Sequence, residues 1–298
     1  MKECETECVT VPAASCPCRE VYEEGAALLA GMEDASLDAR LLLEHFCGIS
    51  THRLLADPDL PVSAPEREAF LEGIRRRAAR EPLAYILGEQ IFMGLPFMVS
   101  PDVLIPEQDT ENLVEEALRY LEDDSRILDL CTGSGCILLS LLRYSNGCTG
   151  TGTDISAPAL RLAGENARAL GLSGRCRWFQ GDLFAALDPG VRFDLIISNP
   201  PYVPTVVIET LEPEVREAQP RLALDGGPDG LAFYRRIIRE ASGFLMIGGR
   251  LMLEIGHDQA EAVRTLLEEA GYYGIEIIRD YGGNDRVVTA VRSMKQRM

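Results

Sequence analysis

From Arg126 onward, short apolar extended runs alternate with amphipathic helical segments, and this alternation limits the possible folds more than any other feature of the chain. The extended runs are RILDLC (126–131), TGTGTD (149–154), CRWFQGD (176–182), FDLIIS (193–198), GRLMLEIG (249–256), GIEIIRD (274–280) and RVVTAVR (286–292). Between them, helices are predicted over 136–143, over 156–171 with Ser156 as cap and Pro158 in the first turn, and over 258–270 ahead of Gly271. Strands interleaved with helices pack as a parallel sheet covered on both faces. The expectation is therefore an α/β, doubly wound, mainly parallel seven-stranded sheet, with an antiparallel last strand.

The chain ahead of this region reads differently. Residues 1–18 hold Cys4, Cys8, Cys16 and Cys18 and read as an extension. Their C-x3-C-x7-C-x-C spacing lacks the two-residue knuckle of most zinc sites, so a metal-free tail is favoured. Residues 19–88 read as a small helical domain. One helix begins near Val21, and a second is capped by Ser36, carries Leu37, Leu41, Leu42 and Phe46, and ends at Gly48. A third opens with a Ser63/Glu66 capping box and Pro65, and presents Phe70, Leu71 and Ile74 on one face. It closes on Arg75, Arg76, Arg77 and Arg80, cations that complement a helix C-terminus; this is preferred to a nucleic-acid patch. Residues 81–111 read as extended, with a hairpin around Gly94-Leu95-Pro96; 89–109 form a hairpin linker and 110–298 the third part.

Composition removes several function classes. A formal net charge of −18 argues against binding a phosphate backbone directly and leaves room for a basic protein partner. Lysine occurs only as Lys2 and Lys295, which excludes a Schiff-base or phosphate-loop lysine within the fold. Three histidines leave little room for a histidine-rich metal centre, so no metal ligands are assigned. No apolar run is long enough for a membrane span, and the first 20 residues lack the apolar stretch of a signal peptide. A cytoplasmic, membrane-free setting is expected, with most cysteines acting as small apolar residues.

Chemistry concentrates at the ends of the predicted strands. The first runs into Asp129 and the loop Cys131-Thr132-Gly133-Ser134-Gly135, where a ligand can approach the backbone and a helix N-terminus. Nineteen residues beyond Gly135, Asp154 ends the second strand, placed to accept from ribose hydroxyls. Leu138 stands where a dinucleotide fingerprint needs its third glycine, which weakens a dehydrogenase reading. The third strand ends at Gly181-Asp182-Leu183-Phe184, a polar acceptor beside apolar groups that suits an adenine. The sharpest feature is Asn199-Pro200-Pro201-Tyr202 directly after FDLIIS. The Asn199 side-chain oxygen and the Pro200 carbonyl can accept both hydrogens of a planar NH2 group, while Tyr202 packs against the group itself. Such a clamp catalyses by alignment for attack on a sulfonium methyl and by stabilising the developing positive nitrogen. His257 follows the fifth strand and reads as structural or solvent-facing.

In this order, these motifs resemble the class I S-adenosylmethionine-dependent methyltransferases. EPLAYILGEQIF, VLIPEQDTE, DLCTGSGCI, SNPPYV, ALDGGPDGLAFYR, LEIG and GGNDR together resemble the peptide chain release factor glutamine N-methyltransferase family of HemK/PrmC type, over about residues 19–292. The resemblance implies a Rossmann-like methyltransferase sheet and a helical N-terminal domain that recognises the release factor. It implies S-adenosylmethionine as cofactor, and as substrate the glutamine of the Gly-Gly-Gln motif in class 1 release factors. It assigns Cys131 to Gly135, Asp154, Asp182 and Leu183 to the cofactor, Asn199 to both ligands, and Pro200, Pro201 and Tyr202 to the glutamine. Catalysis falls to Asn199, Pro200 and Tyr202.

The chain departs from the family pattern in the cysteine-containing residues 1–18, which have no counterpart in it, and in three further places. Cys131 replaces the loop's first glycine, and a non-glycine there is expected to hold φ below zero. Glu107-Gln108 stands where Arg-Pro is usual, and Gln219-Pro220 where Glu-Pro is common. Two further readings of the same motifs are an adenine-amino methyltransferase of DNA or RNA, and a non-catalytic S-adenosylmethionine-binding adaptor.

Overall fold

The computed structural model describes residues 15–294, which form two compact units divided between Leu87 and Gly88. Cys4, Cys8, Lys2 and Lys295 lie outside the described residues.

The smaller unit is helical: α1 (Cys18–Leu28), α2 (Ala35–Cys47), α3 (Thr51–Ala56), α4 (Ala64–Ala78) and α5 (Leu83–Leu87). Val21, Leu42, Leu43, Phe70 and Ile74 form its core. Folded structure begins before residue 19: β1 (Cys16–Pro17) pairs antiparallel with β2 (Pro61–Val62), and Cys18 is fully buried. The capping box of α4 forms as the sequence predicts, with Ser63 and Glu66 each accepting the other's backbone N–H. Ser36, by contrast, is not a cap. The carbonyl of Asp34 accepts from Leu37 and Asp38, so α2 starts earlier and Ser36 lies within its first turn. Residues 83–87 are helical rather than extended, because the Pro82 carbonyl accepts from Tyr85 and Ile86. α3, which the sequence did not suggest, is capped by Ser50. The arginines closing α4 are matched to acids: Arg75 to Glu68 and Glu72, Arg76 to Glu81, and Arg77 to buried Asp38 at 2.6 Å.

The larger unit opens with the hairpin β3 (Glu89–Phe92) and β4 (Leu95–Met98), followed by α6 (Gln108–Leu118). The alternating part follows: β5 (Arg126–Leu130), α7 (Cys136–Tyr144), β6 (Thr149–Asp154), α8 (Ala157–Ala169), β7 (Cys176–Gln180) and β8 (Phe193–Ser198). Two single-turn helices, α9 (Pro213–Arg216) and α10 (Arg221–Leu224), lead to α11 (Ala232–Ala241), none of them foreseen from the sequence. β9 (Leu245–Glu254), α12 (Ala260–Glu269), β10 (Tyr273–Arg279) and β11 (Asp285–Val291) complete the unit.

The seven strands are ordered β10-β11-β9-β8-β5-β6-β7, with only β11 running antiparallel to its neighbours. Alternate residues feed opposite faces, as the two-residue strand period requires. Leu128, Leu130, Ile196, Leu251 and Leu253 pack under α11 and α12, while Ile127, Leu195, Ile197 and Met252 pack under α6 and α7. The hairpin belongs to the second layer: Phe92 and Phe97 meet edge to face within it, and Asn166 of α8 exchanges hydrogen bonds with the Met98 backbone at 2.8 and 3.1 Å. Residues 89–98 are thus part of the larger unit's core and not a free linker. Strand order reverses at β5, whose two neighbours are β6 and β8. The loops leaving β5 and β8 therefore face a common crevice, the place where open parallel sheets bind ligands.

Candidate active site

A cavity of about 370 Å³ occupies that crevice. Its walls include Cys131, Thr132, Gly133 and Ser134 after β5, Asp154 at the end of β6, Asp182 and Leu183 after β7, and Asn199 and Pro201 after β8. Of the residues singled out in the sequence, Gly135, Pro200 and Tyr202 are outside its walls.

The loop after β5 is built around left-handed backbone. Gly133 and Gly135 hold φ of 54° and 79°, and Cys131 holds 57°. The expectation of negative φ at Cys131 is therefore wrong: the turn out of β5 demands the left-handed region, and a small side chain accommodates it at a cost. Gly135 is also short of space, since a Cβ there would lie 3.0 Å from Trp178 and 3.2 Å from Ala163. Gly135 caps α7 and lets the helix settle on its neighbours. Three neighbours fix the loop. Thr132 N–H donates to the Thr153 carbonyl at 3.1 Å, its hydroxyl donates to buried Asp129, and Asn166 donates to the Ser134 carbonyl at 2.9 Å. Burial pushes the Asp129 carboxyl up to about 7, opposed by the Thr132 bond.

Asp154 accepts the N–H of Gly133 on one oxygen and that of Ser156 on the other, each at 2.9 Å. Desolvation raises its carboxyl against these backbone donors. A carboxylate has about four acceptor positions, so Asp154 keeps acceptor capacity beyond these two bonds. Beyond Gly181, Leu183 is buried at φ 52° and Asp182 pairs with Arg236 of α11 at 2.8 Å. Phe233 and Arg236, which sequence reasoning missed, complete this side of the cavity. Their signal was the helical spacing within LAFYRRII, which overlaps the end of ALDGGPDGLAFYR.

Asn199 donates from its side-chain nitrogen to Thr110 Oγ1 of α6 at 3.1 Å. Tyr202 does not present its ring to the cavity as expected. Its hydroxyl donates to Glu254 Oε1 at 3.4 Å and its carbonyl accepts from Gln259 at 2.9 Å. Burial raises the Tyr202 phenol further and pushes the Glu254 carboxyl up to about 7. The glycine-rich segment after α10 presses on this loop, because a Cβ at Gly226 would lie 2.7 Å from the Tyr202 Cα. Thr110, Glu254 and Gln259 were not singled out in the sequence; each is legible only once β8, β9 and α6 are adjacent. Glu107 does reach the cavity wall, where lost solvation and repulsion from Asp109 raise its carboxyl against the pull of Arg286. Gln219 anchors the rim by accepting the Ile105 N–H at 3.1 Å. His257 is exposed and Gln108 is outside the wall. Among the described residues, no group of three or more His, Cys, Asp and Glu side chains is arranged to hold a metal ion. The site can thus hold a nucleoside against a glycine loop and strand-end carboxylates, and offer amide and backbone oxygens to a planar nitrogen.

Two family models match the chain: the PrmC N-terminal domain over residues 20–88 and the methyltransferase small domain over 108–227. The release factor glutamine methyltransferase of Moorella thermoacetica is 45% identical over 279 residues, covering 92% of this chain and 98% of its own. That of Geobacter sulfurreducens is 45% identical over 258 residues, covering 87% and 90%. A methyltransferase structure from Pyrococcus furiosus shares the fold at 16% identity, with a TM-score of 0.53, covering 76% of this chain and 98% of that one. With relatives 45% identical over 87–92% of its length, the chain belongs to the release factor glutamine methyltransferase family.

Proposed function

We propose that this chain moves a methyl group from S-adenosylmethionine to the side-chain amide nitrogen of the glutamine in the Gly-Gly-Gln motif of class 1 peptide chain release factors, in the cytoplasm. The observation that carries the reading is the engagement of Asn199: its NH2 is taken by Thr110, which leaves its oxygen to accept from a substrate NH2. Its curated relatives are named release factor glutamine methyltransferases, which favours the reading over adenine methylation or cofactor binding alone. Among the described residues no helix is long and apolar enough to cross a membrane.

The residues present fit the cofactor. Gly133 has open space around its Cα, so a ligand can approach the backbone there, and Asp154 and Asp182 offer acceptors on neighbouring strand ends. When bound, S-adenosylmethionine would supply an electrophilic sulfonium methyl, with the thioether sulfur as the leaving group that keeps the bonding pair. The loop 131–135 and Asp154 would hold it, and Leu183 and Phe233 would supply apolar contact. Asn199 Oδ1 and the Pro200 carbonyl accept the two amide hydrogens of the glutamine, which turns the nitrogen lone pair out of the amide plane toward the methyl. As the N–C bond forms, positive charge builds on nitrogen and both oxygens stabilise it. The nitrogen then sheds one proton to solvent. Tyr202 acts by holding the backbone of the loop, through Glu254 and Gln259.

Mass spectrometry of release factor incubated with the protein and S-adenosylmethionine tests the reading. One added methyl on the Gly-Gly-Gln peptide is expected, with duplex DNA unlabelled and Asn199→Ala reduced about 100-fold or more. Label on DNA, or an unmodified glutamine, would refute it.

A further inference from the structure

Asp182 and Arg236 meet at one end of the cavity, and both line it. Asp182 lies in the turn that leaves β7, and Arg236 lies on α11. The backbone of that turn is braced. Gly181 N–H donates to the Asp154 carbonyl at 3.0 Å, Ala185 N–H donates to the Asp182 carbonyl at 3.1 Å, and Leu183 is buried at φ 52°. The direction of the Asp182 carboxylate is set by something else. Among the described residues its one hydrogen bond comes from Arg236 Nη2, which donates to Oδ2 at 2.8 Å. Oδ1 keeps its acceptor positions. Phe233, three residues before Arg236, shares its face of α11 and lines the same end of the cavity. The residues between them go elsewhere: Arg235 pairs with Asp229 at 2.5 Å, and Tyr234 is buried in the core.

We propose that Arg236 is a positioning residue for the cofactor's purine: by holding Oδ2 of Asp182 it turns Oδ1 to accept from a 6-amino group, so the site selects adenine over a 6-oxo purine. The inference rests on S-adenosylmethionine as cofactor and on Asp182 as the residue that faces its base. A carboxylate only accepts, and the amino group of adenine donates. A 6-oxo purine puts an acceptor at the same position, and two acceptors facing each other leave both unpaired. A carboxylate free to rotate swings away from that oxygen and lets water between them. Arg236 removes this freedom. It thus acts twice: it orders the acceptor before adenine arrives, and it holds the acceptor in place against the 6-oxo base. Loss of Arg236 weakens binding of the adenine ligand and relieves the 6-oxo ligand, so the ratio of the two affinities falls. A residue that merely tied α11 to the β7 turn would shift both affinities together and leave the ratio standing.

Calorimetric titration of the full-length protein with S-adenosylhomocysteine and S-inosylhomocysteine tests this. The two ligands differ only in the 6-substituent and the N1 proton that goes with it, and neither carries a methyl to transfer. The wild type is expected to favour the adenine ligand by about 100-fold, the scale of a hydrogen bond to a charged group. Arg236→Met keeps an apolar stem beside Phe233 and removes the donors; it is expected to lower the ratio about tenfold. Arg236→Lys retains a donor for Oδ2, which takes a single bond in the wild type, and is expected to restore most of the ratio. In Asp182→Asn, Arg236 takes the amide oxygen and the NH2 faces the base, so the 6-oxo ligand is expected to bind the tighter. An unchanged ratio in Arg236→Met, a ratio in Arg236→Lys no higher than in Arg236→Met, or a preference for adenine kept in Asp182→Asn would overturn the proposal. A wild type that binds neither ligand would overturn the cofactor reading, and this inference with it.

Discussion

Leu138 of α7 occupies the space that a side chain on Gly150 of β6 would need: a Cβ at residue 150 would lie 2.5 Å from Leu138 Cδ1 and 2.9 Å from its Cγ. Dinucleotide-binding folds relieve this contact with a glycine on the helix. Here the strand supplies the glycine and the helix keeps a fully buried leucine. Gly150→Ala is expected to cost about 1–3 kcal/mol by overpacking. Pairing it with Leu138→Ala should cost less than the two changes summed, because each relieves the other. Denaturant unfolding of the four proteins measures the coupling.

Cys131 holds a left-handed backbone without being glycine. Cys131→Gly is expected to raise stability by about 1 kcal/mol, because relief of the backbone outweighs the added freedom of the unfolded chain. Cys131→Val, β-branched at the same φ, should lower it. A destabilised Cys131→Gly would mean that the thiol's packing matters more than the backbone. Equilibrium unfolding decides between these outcomes.

Asp154 ties the glycine loop to the end of β6 as well as facing the cavity. Asp154→Ala is expected to weaken S-adenosylmethionine binding by about tenfold to a hundredfold, since it removes charge-assisted acceptors. Asp154→Asn should lose less, because one oxygen remains. Calorimetric titration gives both values, and unchanged affinity would remove Asp154 from the cofactor site.

Glu254 and Asp129 both titrate near 7 in the folded chain, against 4.5 and 3.8 for free carboxyls. Between those values and 7, the folded chain holds protons that the unfolded chain has released. Stability from these groups is therefore full below the unfolded values and falls as pH rises, by about 1.4 kcal/mol per pH unit for each group inside the window. Comparing unfolding free energies of the wild type and Glu254→Gln from pH 4.5 to 8 isolates one contribution. The wild type should show the steeper decline.

The catalytic half was legible because its signals are local. A strand-end glycine loop, an aspartate one βα unit later and Asn-Pro-Pro-Tyr each carry their meaning within a few residues, and the alternation that places them on one sheet edge is a short-range pattern. Thr110, Glu254, Gln259 and Arg236 were not legible for the opposite reason. As single residues in a helix or strand they are unremarkable, and their roles exist only through partners 25 to 89 positions away. Cys131 was misjudged because a general preference for negative φ gave way to the demands of a particular turn. The misplaced Ser36 cap is a smaller case: a good capping residue was present, but the Asp34 carbonyl, two residues earlier, accepts the first helical N–H groups.

The loops 131–135 and 199–202 leave adjacent parallel strands, locked in register with Leu130 opposite Ser198 and tied again by the Ser198 hydroxyl to the Leu130 carbonyl at 2.7 Å. On the proposed reading, the gap between donor and acceptor is referred to the spacing between hydrogen-bonded strands, about 4.8 Å. Variation in what is methylated would then not act on that length. It would act on the segment between β8 and α11, where Val206 and Leu222 are exposed and strand pairing is limited to a single bridge between Val203 and Asp225. Engineering a new acceptor in this scaffold is accordingly a matter of rebuilding that rim and leaving the β5–β8 seam alone.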